Sequence, residues 1–331
     1  MKKINILTCA MVALTMACTN NDEQENVPNN YPTDNIIRVT AGVNNPMTRG
    51  GETGTAGISP YNGDFSLTVV NVANNKYTYA NKQFTYTTAT GWNCGETLLW
   101  QNAKTPVEIA AIAPYDARCI VYHAPSTNPK TSFLYKLNSD QTTKDSKNDL
   151  LYYYNSSFTP ETNLNKDGKL ALTLNHAFCM FDIVVTLGTE FNTATGLSTD
   201  PIESATIKGI YNSAVINVWG EQVVTMPTNG TLENITATPG DFTPVNNAEA
   251  NATKNFSCIV LPQTLSAANF SVSLLTKSGK KYEWSPASNI TIESGKRYKL
   301  ELSMGDNKVV LKEGITAKAW ADGTGDSLET D

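Results

Sequence analysis

Apolar residues in this chain recur mostly at every second position, in short runs closed by Gly, Pro, Asn or Asp. Alternation of this kind, rich in β-branched and aromatic side chains, predicts half-buried strands. In the first half such runs cover residues 36–43, 65–69, 77–79, 84–87, 107–112 and 149–154. The longest pattern follows a turn at Lys166-Asp167-Gly168-Lys169: Leu170, Leu172, Leu174, His176, Phe178 and Met180 share one face of a strand. The second half repeats the style over 202–210, 214–219, 256–261, 270–274, 298–304, 309–311 and 315–320. Residues 124–148 and 225–252 are polar and predict exposed loops, and 188–201 predicts a linker. No segment carries a long 3.6-residue stripe. The pattern therefore predicts an all-β chain of two β-sandwich domains in tandem, at 35–188 and 200–331.

The N-terminus breaks the pattern. Lys2 and Lys3 precede an apolar run from residue 4 to Ala17, and Cys18 then opens a polar, acidic stretch. That is the layout of a secretory signal peptide. A small residue before a cysteine is the form that bacteria process into lipoproteins, so residues 1–17 are expected to be removed and Cys18 to carry the lipid. Leu14 stands one place earlier than the usual leucine, with Thr15 in its position. An ordinary cleaved signal or a membrane-spanning helix are the alternatives, and the polar interruptions at Asn5, Thr8 and Thr15 weigh against spanning. Residues 18–34, with Pro28 and Pro32, form a flexible tether.

Charge narrows the partners. Lys and Arg number 25 against 31 Asp and Glu, for a net charge of −6. Loss of the signal, with its two lysines, makes the exported chain more acidic. Without a basic stripe, nucleic acid is not an expected partner. Of six cysteines, Cys9 leaves with the signal and Cys18 is used for lipid. Cys179 and Cys258 lie in apolar runs and predict buried thiols, while a disulfide among Cys94, Cys119 and Cys179 stays open. With two histidines and no C-x-x-C pair, no metal or other cofactor is expected. His176 falls on the apolar face and predicts a hydrogen-bonded core histidine. Neither a catalytic triad nor a phosphate loop is present, so the chain is not expected to be an enzyme.

Four short motifs, in this order, resemble one family. The first is a strand followed by Thr48-Arg49. The second is Trp100 with Ile109-Ala110-Ala111-Ile112-Ala113-Pro114-Tyr115. The third is Asp149-Leu150-Leu151-Tyr152 followed by Leu172-Thr173-Leu174-Asn175-His176-Ala177. The fourth is Gly295-Lys296-Arg297-Tyr298-Lys299-Leu300, then residues 315–320 with Asp322-Gly323. Together they are similar to the Bacteroidetes fimbrillin-like family, whose members build or cap lipoprotein-derived (type V) pili.

The resemblance implies two transthyretin-like sandwiches and an outer-membrane lipoprotein precursor at the cell surface. It further implies cleavage by a trypsin-like protease between Arg49 and Gly50, with loss of strand 36–43. The C-terminal segment of another subunit, here Val309, Val310, Leu311, Ile315, Ala317 and Trp320, would fill the vacated groove. Expected partners are other fimbrial subunits, the protease, the membrane through Cys18, and a host or bacterial surface ligand. Asp22 and Glu23 resemble a surface-export signal, and Asp326-Ser327-Leu328 an O-glycosylation acceptor. The competing expectation is a non-polymerising surface lipoprotein that binds glycans or host proteins, with the loops 124–148 and 225–252 as contact sites.

Overall fold

The structure is a computed structural model that describes residues 30–44, 58–115, 132–220, 222–226, 230–312, 314–319 and 326–327. Its strands in the first half are β1 (Val39–Asn44), β2 (Ile58–Pro60), β3 (Phe65–Val70), β4 (Tyr79–Thr87), β5 (Gly91–Cys94), β6 (Val107–Ala113), β7 (Phe133–Lys136), β8 (Leu151–Phe158) and β9 (Leu170–His176). The sheet order is β2-β1-β9-β8-β6-β3-β4-β5. A single helical turn, α1 (Pro160–Asn163), starts with the proline whose missing N–H costs nothing there.

The second half contains β10 (Cys179–Leu187), β11 (Ile202–Tyr211), β12 (Ser213–Ile216), β13 (Val224–Thr225), β14 (Leu232–Thr236), β15 (Thr238–Thr243), β16 (Thr253–Val260), β17 (Gln263–Leu265) and β18 (Ser271–Thr276). It continues with β19 (Lys281–Trp284), β20 (Ile290–Ile292), β21 (Lys296–Met304), β22 (Val309–Leu311), β23 (Thr316–Ala319) and β24 (Asp326–Ser327). One sheet runs β15-β16-β10-β21-β23-β24, with β22 also on β21, and a second runs β14-β11-β18-β19. Smaller sheets, β13-β12-β7 and β17-β20, complete this half. The all-β expectation holds.

Alternation explains the two cores. In β9, Leu170, Leu172, Leu174 and His176 are buried while the residues between them are not. The three leucines join Phe65, Leu67, Trp100 and Ile109 in the first core. Phe178, Phe181, Phe256, Phe270 and Leu300 belong to the second. Strand β6 serves both: Ile109, Ala111 and Ala113 face the first core, and Ala110 and Ile112 the second. Tyr154 of β8 meets Trp219 edge-on at 5.7 Å along the same contact.

The fold differs from the sequence expectation in three places. The longest predicted strand is two strands in two sheets. Burial is continuous from His176 to Phe181, so the inward parity flips there, and β10 pairs with β16 and β21. The core therefore changes over at Ala177–Phe178, and residues 179–187 pack with the second half instead of closing a sandwich at 35–188. Within the expected loop 124–148, residues 133–136 form β7, with Phe133 and Tyr135 buried in the second core. Within 225–252, β14 and β15 are paired strands, so neither segment is a free loop throughout. Short alternations of one or two apolar residues carry too little signal to be separated from polar loops.

The thiols behave as expected. Cys179 and Cys258 are buried, Cys94 is half-exposed, and no disulfide joins these three; Cys119 lies outside the described residues. Burial pushes the Cys179 thiol up from its ordinary value. His176 is the expected core histidine, its Nδ1 2.9 Å from Asp149 Oδ1.

Candidate functional site

β1 lies between β9 and β2. It runs parallel to β9, with Val39 opposite Leu170 and Val43 opposite Leu174. It runs antiparallel to β2, with Gly42 opposite Pro60 and Asn44 opposite Ile58. Just upstream, the Ile37 N–H donates to the Leu98 carbonyl at 2.9 Å and the Trp100 N–H to the Asn35 carbonyl at 2.8 Å. Ile37, Val39 and Val43 are at most 8% exposed and enter the first core. Fully burying such side chains is worth roughly 1.5–3 kcal/mol each. These three, with the ladder bonds, are the non-covalent hold on the strand.

Outside the core, Arg38 and Asp34 form an ion pair at 2.5 Å, and the guanidinium holds the Asp34 carboxyl down at about 2. β2 pairs, among the described residues, with β1 alone. The chain joining these two strands, 45–57, carries Arg49 and Gly50. Those two residues lie outside the described residues, as does Cys18.

At the other end, β22 and β23 line the same side of β21. Val309 stands opposite Met304 and Leu311 opposite Leu302. Thr316 then stands opposite Lys299 and Ala319 opposite Lys296. The two are one antiparallel strand interrupted by a bulge, which adds two residues between the paired stretches. Val309 and Ile315 are buried and Ala317 packs against the second core, whereas Val310 and Leu311 are 42% and 37% exposed. The expected donor segment thus rests on its own chain. Trp320 lies outside the described residues.

A cleft of about 640 Å³ lies between residues 36–41, at the start of β1, and β5 with the chain that follows it. Its floor holds Tyr61, Tyr86 and Trp92. Trp92 lies parallel to Tyr61 at 6.3 Å and tilted against Tyr86 at 5.3 Å, with Phe65 edge-on beneath at 4.7 Å. Arg38, Glu96 and Lys169 stand on its rim. Burial, the largest cause, pushes the Tyr61 phenol well up, and its hydroxyl donates to the Asp64 carbonyl. Sequence reading missed this cleft, because residues 36–41 and 92–98 are far apart along the chain and meet only in the fold, where backbone bonds such as Ile37 to Leu98 join them.

The motifs shared with the resembling family sit at structural points. Trp100 is buried and stacks on Phe158 at 5.6 Å, residues 109–113 are in β6, and Gly295 has φ +69° where the chain turns into β21. The sequence profile of the fimbrillin-like family matches residues 41–320. The chain belongs to the fimbrillin-like family. No curated protein matches it. Among solved structures, this fimbrillin-like chain is similar to a "putative cell adhesion protein" from Bacteroides uniformis, at 17% identity and TM-score 0.59, covering 87% of this chain and 99% of that one. A protein of the same description from Bacteroides ovatus gives 14% identity and TM-score 0.57, with 89% and 98% covered. Both likenesses show a shared fold. The tip fimbrial protein of Porphyromonas gingivalis, solved with a C-terminal truncation, is 9% identical at TM-score 0.49, with 86% and 100% covered.

Proposed function

We propose that this chain is a subunit of a cell-surface fimbria, assembled when a protease removes its first strand and a strand of another subunit replaces it. The fimbrillin-like membership supports the fimbrial role and a surface location, and makes other fimbrial subunits its partners. The observation that carries strand replacement is the seating of β1. It is a short strand with ladder partners on both sides, and it holds apolar side chains in the core at every second or fourth position. An incoming strand with apolar residues at alternate positions restores both the main-chain bonds and the core.

The C-terminal segment has that alternation at Val309 and Leu311 and again at Ile315 and Ala317, with Trp320 next along the chain. Because it is docked on β21, donation exchanges one burial for another. In this scheme Cys18 anchors the precursor to the outer membrane by lipid. A trypsin-like protease cuts between Arg49 and Gly50, and the discarded fragment takes lipid, tether and β1 together. The subunit has no catalytic role and supports adhesion by polymerising.

A second function follows from the same docking of β22 and β23 on β21. If these strands never leave, the chain is a non-polymerising surface lipoprotein that binds glycans or host proteins. One experiment separates the two. Treat purified precursor with a trypsin-like protease, then read its N-terminus and oligomer size. A new N-terminus at Gly50 with a ladder of oligomers is expected. A cut protein that stays monomeric, with surface fibres unchanged by Arg49→Ala, would falsify strand replacement.

A further inference from the structure

The cleft between β1 and β5 has the make-up of a ligand site, and we propose that it binds a short saccharide bearing a carboxylate. Its volume of about 640 Å³ is in the range of small-ligand sites, roughly 300–1,000 Å³. Three observations select the ligand.

The first is the floor. Tyr61, Tyr86 and Trp92 are half-buried, so each keeps part of its ring open to the cleft. Trp92 and Tyr86 meet at 59°, which makes a concave aromatic surface and not a flat slot. A flat aromatic ligand would find no parallel pair to enter, since Tyr61 and Trp92 already lie against each other. The C–H faces of a sugar ring suit such a surface, because they stack on single ring faces at varied tilts.

The second is the wall. Asn62 and Asn93 bring amide groups that both donate and accept, the capacity that sugar hydroxyls require.

The third is the charge. Of the charged side chains lining the cleft, Arg38 is paired with Asp34, and Glu96 with Lys82 at 2.5 Å. Lys169 lines the same cleft and makes no ion pair among the described residues. One uncompensated ammonium beside an aromatic floor favours a ligand carrying one negative charge. Among sugars, sialic and uronic acids carry such a single charge as a carboxylate. The inference needs the uncut chain, because residues 36–41 form one wall, but it does not rest on strand exchange.

The test uses the chain lacking only its signal, with β1 in place, and follows tryptophan fluorescence and calorimetry with 3′-sialyllactose, a glucuronate-terminated disaccharide and lactose. At least one acidic sugar is expected to bind about tenfold or more tighter than lactose. Trp92→Ala and Tyr86→Ala are each expected to weaken it about tenfold. Lys169→Gln should weaken the acidic sugar several-fold, leave lactose unchanged and flatten the salt dependence. Melting curves establish that each variant is folded. If Trp92→Ala fails to fold, Tyr86→Ala and Lys169→Gln carry the result. Absence of binding by both acidic sugars, or binding kept by folded Trp92→Ala and Tyr86→Ala, overturns the site. Equal binding of lactose with no effect of Lys169→Gln overturns the acidic assignment.

Discussion

Val39 shows how much one side chain controls. It is 5% exposed, sits opposite Leu170, and belongs to the strand on which the proposed assembly turns. Val39→Ala removes two buried carbons and leaves a small cavity, at a cost of about 2 kcal/mol. After a cut at Arg49 the same change should speed release of the strand roughly thirtyfold, measured by loss of a labelled N-terminal fragment. Asp182 gives a second residue-scale test. Arg297 bonds its carboxylate across the β10–β21 pair, and burial, the largest cause, raises the Asp182 carboxyl from its ordinary value while Arg297 and Lys299 pull it down. Arg297→Leu leaves that carboxylate buried without its guanidinium, a loss of about 3 kcal/mol at neutral pH. A carboxyl whose folded value lies above its unfolded value loses stability as pH rises between the two. The deficit in denaturant unfolding should therefore be smaller near pH 4 than at pH 7. His176 was legible from its neighbours alone, because its place on the apolar face demanded a bonded imidazole. Asp182 was not, since its partner Arg297 is distant in sequence.

Among elements, β22 and β23 are the test of whether the C-terminal segment is free to move. Ile315, between them, is 3% exposed and packs in the second core. Ile315→Ala should destabilise the isolated subunit by about 2–4 kcal/mol in thermal or denaturant unfolding. If the segment is the donor, the same variant should also shorten or abolish the protease-induced ladder, which a purely structural residue would not do once the protein is folded. Strand identity was largely legible, since β1, β3, β6, β9, β11, β16 and β21 all sit on runs of alternation. Sheet membership was not. β9 and β10 share one uninterrupted apolar pattern, and only the parity change after His176 sends them to different cores. β7 was hidden because its burial rests on two aromatic residues within polar surroundings.

For the whole molecule, the changeover between the two hydrophobic cores at Ala177–Phe178 was not legible. The strand at 179–187 is contiguous with the first half and packs with the second. The cleft was invisible for a related reason: its aromatic floor and its β1 wall are far apart along the chain and meet only in the folded protein. That juxtaposition makes sugar binding and strand release one equilibrium. A ligand bound only while β1 is in place stabilises the seated strand by RT ln(1 + [L]/Kd). At one hundred times Kd, 3′-sialyllactose should hold the nicked strand about a hundredfold more firmly, read as slower loss of the labelled fragment. Unchanged release with demonstrable binding would separate the two processes.

β2 has only three residues and, among the described residues, no neighbour but β1. A severed β1 would still be gripped by β9 on one side and capped by β2 on the other. Proteolysis would then arm the subunit without launching it. The interval before a partner is admitted becomes a built-in delay whose length is written in the packing of Ile37, Val39 and Val43, and a cell could spread assembly over time without a second enzyme.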